Sequence, residues 1–128
     1  MVLVDTDVLV ECLRGSDAAK SWLETFPKEA FAIPGAVAME LVMGCRHEAD
    51  LRQIRKFLAS FTIAWPDASE FAQAYELLAA YHLSSGISIP DCLIAATALA
   101  RAARLYTFNL KHIQVVPGLD AQQPYPRT

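Results

Sequence analysis

A chain of 128 residues, 54% of them hydrophobic and 20% charged, is long enough for one buried core and too apolar to stay disordered. Its net charge of −3 provides no global field to attract nucleic acid, so a nucleic-acid substrate would have to be held by local basic patches, by metal bridges or by both. No apolar run approaches the roughly 20 residues of a membrane span, and Met1-Val-Leu-Val-Asp5 lacks the basic flank and long apolar stretch of a signal peptide, so a cytoplasmic protein is expected.

The elements alternate. Val2 to Asp5 reads as a short buried strand, followed by a helix over Thr6–Leu13 that Gly15 stops. Ser16-Asp17 caps a second helix through Thr25, with Ala19, Trp22, Leu23 and Phe26 facing inward. Ala30–Ile33 is an interior strand, and Pro34-Gly35 turns it into an apolar helix ending near Gly44. Glu48–Ser60 carries a core-facing stripe of Leu51, Ile54, Phe57, Leu58 and Phe61. A strand over Thr62–Trp65 follows. Asp67-Ala-Ser-Glu70 then opens a helix to about His82, whose expected inner stripe is Phe71, Ala74, Tyr75, Leu78 and Tyr81. The helix from Ser88 to about Ala103 is nearly all small and apolar and should be the most buried. Arg104–Phe108 is a strand, Asn109–His112 a turn, Gln114-Val-Val a final strand, and Gln122 onward a frayed tail. The pattern predicts an α/β/α sandwich on a mainly parallel sheet of four or five strands.

Three acids stand where a carboxylate is awkward for folding. Asp5 ends an apolar strand, Glu40 is the one charge in Gly35–Gly44, and Asp91 opens the apolar run Cys92–Ala100. Burying a charge costs several kcal/mol (~3 or more) unless it is paired, and no basic residue adjoins any of the three in sequence. Each also has an ordinary explanation. Asp5-Thr6-Asp7 can cap a helix, Ser88-Ile-Pro-Asp91 fits a capping box, and Glu40 could be a polar stripe, though one residue wide. Right-handed crossovers nevertheless bring Asp5, Asp91 and Asn109 to the carboxyl edge of the sheet, with Glu40 pointing back toward it. Carboxylates without His or Cys partners favour a hard cation, Mg²⁺ or alternatively Mn²⁺, and such a site suits phosphodiester hydrolysis. Cys12, Cys45 and Cys92 are too widely spaced for a zinc site and read as core residues in a reducing compartment. His47, His82 and His112 read as surface or loop residues. The basic rim candidates are Arg46, Arg52, Arg55 and Lys56, then Arg101, Arg104 and Lys111, and Arg14 with Lys20. For the first group a solvated helix face interleaved with Glu48 and Asp50 explains the pattern equally well.

Four segments, Val2-Leu-Val-Asp5-Thr-Asp7-Val-Leu, Glu40-Leu-Val-Met-Gly44, Ile89-Pro-Asp91-Cys-Leu-Ile-Ala-Ala and Leu105-Tyr-Thr107-Phe-Asn109-Leu-Lys-His-Ile, resemble in order and spacing the motifs of PIN-domain ribonucleases, VapC-type toxins among them. The resemblance spans nearly the whole chain. It implies a single PIN-like nuclease domain over 1–128 and a Mg²⁺-dependent endoribonuclease acting on RNA, the toxin of a toxin–antitoxin pair. It further implies Asp5, Glu40 and Asp91 as metal-binding acids, Asn109 at a catalytic position often held by Asp, and Asp7 and Thr107 in support. A homodimer restrained by a cognate antitoxin is also implied.

Two rivals remain. Asp5-Thr-Asp7-Val mimics the opening of haloacid-dehalogenase-type phosphatases, which would make Asp5 a nucleophile. That chemistry also needs a well-placed lysine, and after Glu40 only Lys56 and Lys111 exist. The second rival is a catalytically decayed PIN-fold binding module, with Asn109 as the mark of decay.

Overall fold

The computed structural model describes residues 1–127 and contains five parallel strands in the order β3-β2-β1-β4-β5. These are β1 (Val2–Val4), β2 (Phe31–Pro34), β3 (Thr62–Ala64), β4 (Arg104–Tyr106) and β5 (Ala121–Gln122). The helices are α1 (Thr6–Leu13), α2 (Asp17–Glu24), α3 (Gly35–Met43), α4 (Glu48–Ala59), α5 (Ala68–Ser85), α6 (Ile89–Ala100) and α7 (Leu110–Ile113). Together they form the expected α/β/α sandwich.

The three inner strands, β2, β1 and β4, are short because burial on both faces rather than length stabilises them, while β3 and β5 are edge strands and partly exposed. Leu3 and Leu105 are fully buried and paired in register on β1 and β4, and all of β2 is buried. The most buried helix is α6, which encloses Cys92, Ile94, Ala95, Ala96, Thr97 and Ala98. Its small side chains allow close approach to α5 and to the sheet. Gly35 lets α3 start against an aromatic ring, since a Cβ there would lie 2.5 Å from Cε3 of Trp65. Gly86 ends α5 in the left-handed region at φ 72°, a conformation that costs glycine nothing.

Five sequence expectations require correction. Gln114-Val-Val is not a strand; Val116 is buried, but β5 forms later, at Ala121–Gln122. The segment from Gln122 is no frayed tail. The Thr107 N–H donates to the Gln122 carbonyl at 2.9 Å, and the Tyr125 ring stands against Phe108 and Trp22. Asn109–His112 is not a simple turn, because Asn109 caps α7. On α5 the expected inner stripe is partly out of phase: Phe71 and Tyr75 are 53% and 68% exposed, while Glu70, Ala74 and Leu77 are buried. The strand after α6 also stops at Tyr106 rather than Phe108, which frees Thr107 to Asn109 to turn along the sheet edge.

Strand β1 is central and pairs on both sides, so its core side chain holds the sheet together. Replacing Leu3 with Ala should lower unfolding free energy by about 2–5 kcal/mol, read as a lower urea midpoint at unchanged m-value. A loss below about 1 kcal/mol would show that the sheet does not depend on this contact.

Candidate active site

The sheet order reverses at β1: β2 and β3 lie on one side of it, β4 and β5 on the other. Open α/β sheets leave a crevice at the carboxyl ends of the strands flanking such a reversal. Here the crevice is a cleft of about 450 Å³ lined by Asp5, Thr6, Asp7, Glu40, Asp91, Phe108, Asn109 and Arg127. All four expected catalytic positions, from the β1–α1 junction, α3, α6 and the turn after β4, line this one cavity.

Asp5 sits where β1 gives way to α1. Its backbone N–H donates to the Tyr106 carbonyl at 2.9 Å, extending the β1–β4 ladder by one step. Its Oδ1 accepts from the Thr6 N–H at 2.7 Å as helix cap, and its Oδ2 accepts from the buried Thr107 hydroxyl at 2.7 Å. Thr107 is therefore a support for Asp5 and not part of the cavity wall. The Thr107 Oγ1 also accepts from the Asn109 N–H at 2.9 Å, so one hydroxyl links the acid to the turn beyond β4.

The other acids are held by neighbouring elements. Glu40, in the middle of α3, accepts at Oε1 from the Thr6 hydroxyl at 2.9 Å. Asp91 is the third residue of α6, in a capping box with Ser88: the Asp91 N–H donates to Ser88 Oγ at 3.2 Å and the Ser88 N–H to Asp91 Oδ2 at 3.3 Å. Asp7 Oδ2 accepts from the Phe108 N–H at 3.2 Å, while its Oδ1 is buried with no hydrogen-bond partner among the described residues. The Asn109 side-chain oxygen lies 2.9 Å from His112 Nδ1, a contact that places His112 beside the site although no sequence spacing marked it.

Burial raises the Asp5 carboxyl from 3.8 to about 7, with the Asp7 charge adding to it and the Thr107 and Thr6 hydrogen bonds opposing. Burial also raises Asp7, against the Phe108 N–H and the nearby Arg127 charge. Among the described residues, no three His, Cys, Asp or Glu side chains are set closely enough to hold an ion as they stand. The donor chemistry nevertheless fits a hard cation: the acids supply oxygen only, two of them resist ionisation without a positive charge nearby, and one buried oxygen lacks a partner.

Of the basic residues expected at the rim, Arg101 lies 3.8 Å from the buried Glu70 and Arg104 is bonded to Asp120 at 3.0 Å, so both serve the scaffold. The arginine lining the cleft is Arg127, from the segment the sequence assigned to a frayed end. Only the Pro-Tyr-Pro-Arg run near the C-terminus, with its one aromatic, could have hinted at docking.

Comparison with known proteins identifies the family. The PIN domain family model matches residues 2–117. The chain belongs to the PIN-domain family. Ribonuclease VapC10 of Mycobacterium tuberculosis is 37% identical over 121 residues, 93% of this chain and 90% of that protein. Ribonuclease VapC19 of the same organism is 36% identical over 130 residues, 98% of this chain and all of that protein. A chain of a toxin–antitoxin complex from Klebsiella pneumoniae superposes with a TM-score of 0.79 at 27% identity, covering 98% of both chains. The four motifs read from the sequence thus lie within a PIN domain.

The Asp5 shift has a direction in pH. In the unfolded chain its carboxyl ionises near 3.8, in the folded chain near 7, so between these values the folded state binds the extra proton. Stability therefore falls as pH rises through that window, and the full penalty stands above it. In chelator, Asp5→Asn should match the wild type near about pH 4 and exceed it by about 2–4 kcal/mol near about pH 8, measured by urea unfolding. An unchanging difference across that range would refute the burial of an ionisable Asp5.

Proposed function

We propose that this chain is a metal-dependent endoribonuclease that hydrolyses RNA phosphodiester bonds and serves as the toxin of a toxin–antitoxin pair. The observation that carries the reading is the gathering of Asp5, Glu40 and Asp91 at the carboxyl edge of a PIN-domain sheet. The ribonuclease names of the Mycobacterium tuberculosis relatives support the reaction class. In this reading Asp5, Glu40 and Asp91 bind a divalent cation, Mg²⁺ with Mn²⁺ as a substitute, while Asn109, Asp7 and Thr107 position them. The bound ion supplies charge neutralisation for the phosphate and activation of water.

The chain's own residues supply orientation. Thr6 and Thr107 fix both Asp5 oxygens without exhausting their lone pairs, since an ionised carboxylate has about four acceptor sites. Glu40 Oε2 and Asp91 Oδ1 accept no hydrogen bond from a described residue, which leaves each acid an oxygen for a cation. The phosphatase rival gains nothing from the structure, because neither Lys56 nor Lys111 lines the cleft.

Residues 1–128 act as one domain in this reading, located in the cytoplasm; among the described residues no helix is long and apolar enough to cross a membrane. Protein partners are supported by apolar surface that a lone chain would leave wet. Met39 and Met43 on α3 are 64% and 84% exposed beside Trp65, and Phe71 and Tyr75 stand out from α5. In this reading a second copy of the chain and a cognate antitoxin cover such faces; a chain of a toxin–antitoxin complex shares the fold.

Purified chain incubated with total RNA should release defined fragments with Mg²⁺ or Mn²⁺ and none with chelator. Asp5→Asn and Asp91→Asn should each slow cleavage by at least about 100-fold, the lower range for removing a group that stabilises developing charge. Cation should raise the wild-type melting temperature and leave Asp5→Asn nearly unmoved. Equal background cleavage by wild type and Asp5→Asn would leave only the binding-module reading, and an aspartyl-phosphate trapped on Asp5 would restore the phosphatase.

A further inference from the structure

Four carboxylates, Asp5, Asp7, Glu40 and Asp91, line the cleft with one cation, Arg127. That guanidinium forms no hydrogen bond or ion pair with any of the four, although its charge favours the ionised form of Asp7. Its Nε and Nη2 both donate to Glu11 Oε1, at 3.1 and 2.7 Å, and its Cζ lies 4.3 Å from the centre of the Phe108 ring. The segment leading to it is anchored as well, by β5 pairing and by Tyr125 against Phe108 and Trp22. Glu11 on α1 and Phe108 after β4 thus hold the arginine at the cleft while keeping it from folding down onto the acids. Nη1 donates to no described residue, and the side chain is half exposed.

An anionic strand cannot approach four carboxylates without a positive group to receive it. A planar guanidinium with unused donors, stacked on an aromatic face and fixed from behind by a carboxylate, is suited to a phosphate oxygen. We propose that Arg127 is a substrate-binding residue that grips a backbone phosphate of the RNA at the mouth of the acidic cleft, with Glu11 as its positioning residue. This proposal rests on the ribonuclease reading above.

The test uses the shortest RNA spanning one cut mapped for the wild-type chain. Steady-state cleavage is compared for wild type, Arg127→Gln, Arg127→Lys and Glu11→Gln. Binding of the same RNA is followed by fluorescence anisotropy over a salt series in the Asp5→Asn background, where cleavage is slow on the timescale of the measurement. Arg127→Gln should raise KM about tenfold with kcat little changed, and lower the slope of log affinity against log salt by about 0.7–1. Arg127→Lys should keep the slope and recover part of KM, and Glu11→Gln should raise KM at unchanged slope. Unchanged KM and slope in Arg127→Gln would overturn the proposal, as would a lower melting temperature with the slope intact, which would make the segment a structural strap only. Wild type that cuts no RNA with either cation would instead remove the ribonuclease reading itself, a result distinct from normal wild-type cleavage with an indifferent Arg127.

Discussion

The hydrogen bond from the Thr107 hydroxyl to Asp5 Oδ2 joins the ends of β1 and β4, the two parallel strands between which the strand order reverses. It is buried and spans 102 positions of sequence, and the same hydroxyl also receives the Asn109 N–H. Through it the position of one carboxylate is tied to the closure of the β1–β4 edge. Two hydrogen bonds do not offset the burial, because the acid still ionises only near neutrality. The fold therefore holds an acid that favours its neutral form at a place where a cation would favour the charged one. Well-packed interiors seldom tolerate such a group unless a ligand repays the desolvation.

Helix capping explains how the chain can place acids at this edge at little folding cost. Asp5 caps α1 and Asp91 belongs to the capping box of α6, so each carboxylate satisfies orphan backbone donors whether or not an ion is present. Glu40 has no such excuse. It lies within an apolar helix and relies on the Thr6 hydroxyl, itself in the first turn of α1. The three acids are thus linked to only a few anchoring residues, chiefly Thr6, Ser88 and Thr107, and local order in the caps is also order in the cleft.

These local relations are why much of the site could be read from the sequence. A charge inside an apolar run, a capping box and a strand–Asp–Thr junction are short-range patterns, and the alternation of strands with helices put them at one edge. Arg127 had no comparable signature, since its partner Glu11 lies 116 residues away and β5, which anchors the segment, is two residues long. Tyr125 was missed for the same reason. On α5 Ala74 faces the interior as its spacing predicts, but Phe71 and Tyr75 stand outward while Leu77 and Glu70, the latter near Arg101, are buried. Periodicity finds an apolar face but cannot say whether the core or a partner covers it.

The sequence resemblance places Asn109 at a position often held by Asp, and the charge of the cleft gives an amide there a physical sense. Asp5 and Asp7 are already disfavoured as anions, each pushed up by burial and by neighbouring carboxylates. A further negative charge on the same wall would deepen that repulsion. An amide keeps a carbonyl oxygen at the position, lets it meet His112 Nδ1 at 2.9 Å, and adds no charge beside the one guanidinium in the cleft. The cleft thus carries four carboxylates beside its one arginine, where Asp at 109 would make five.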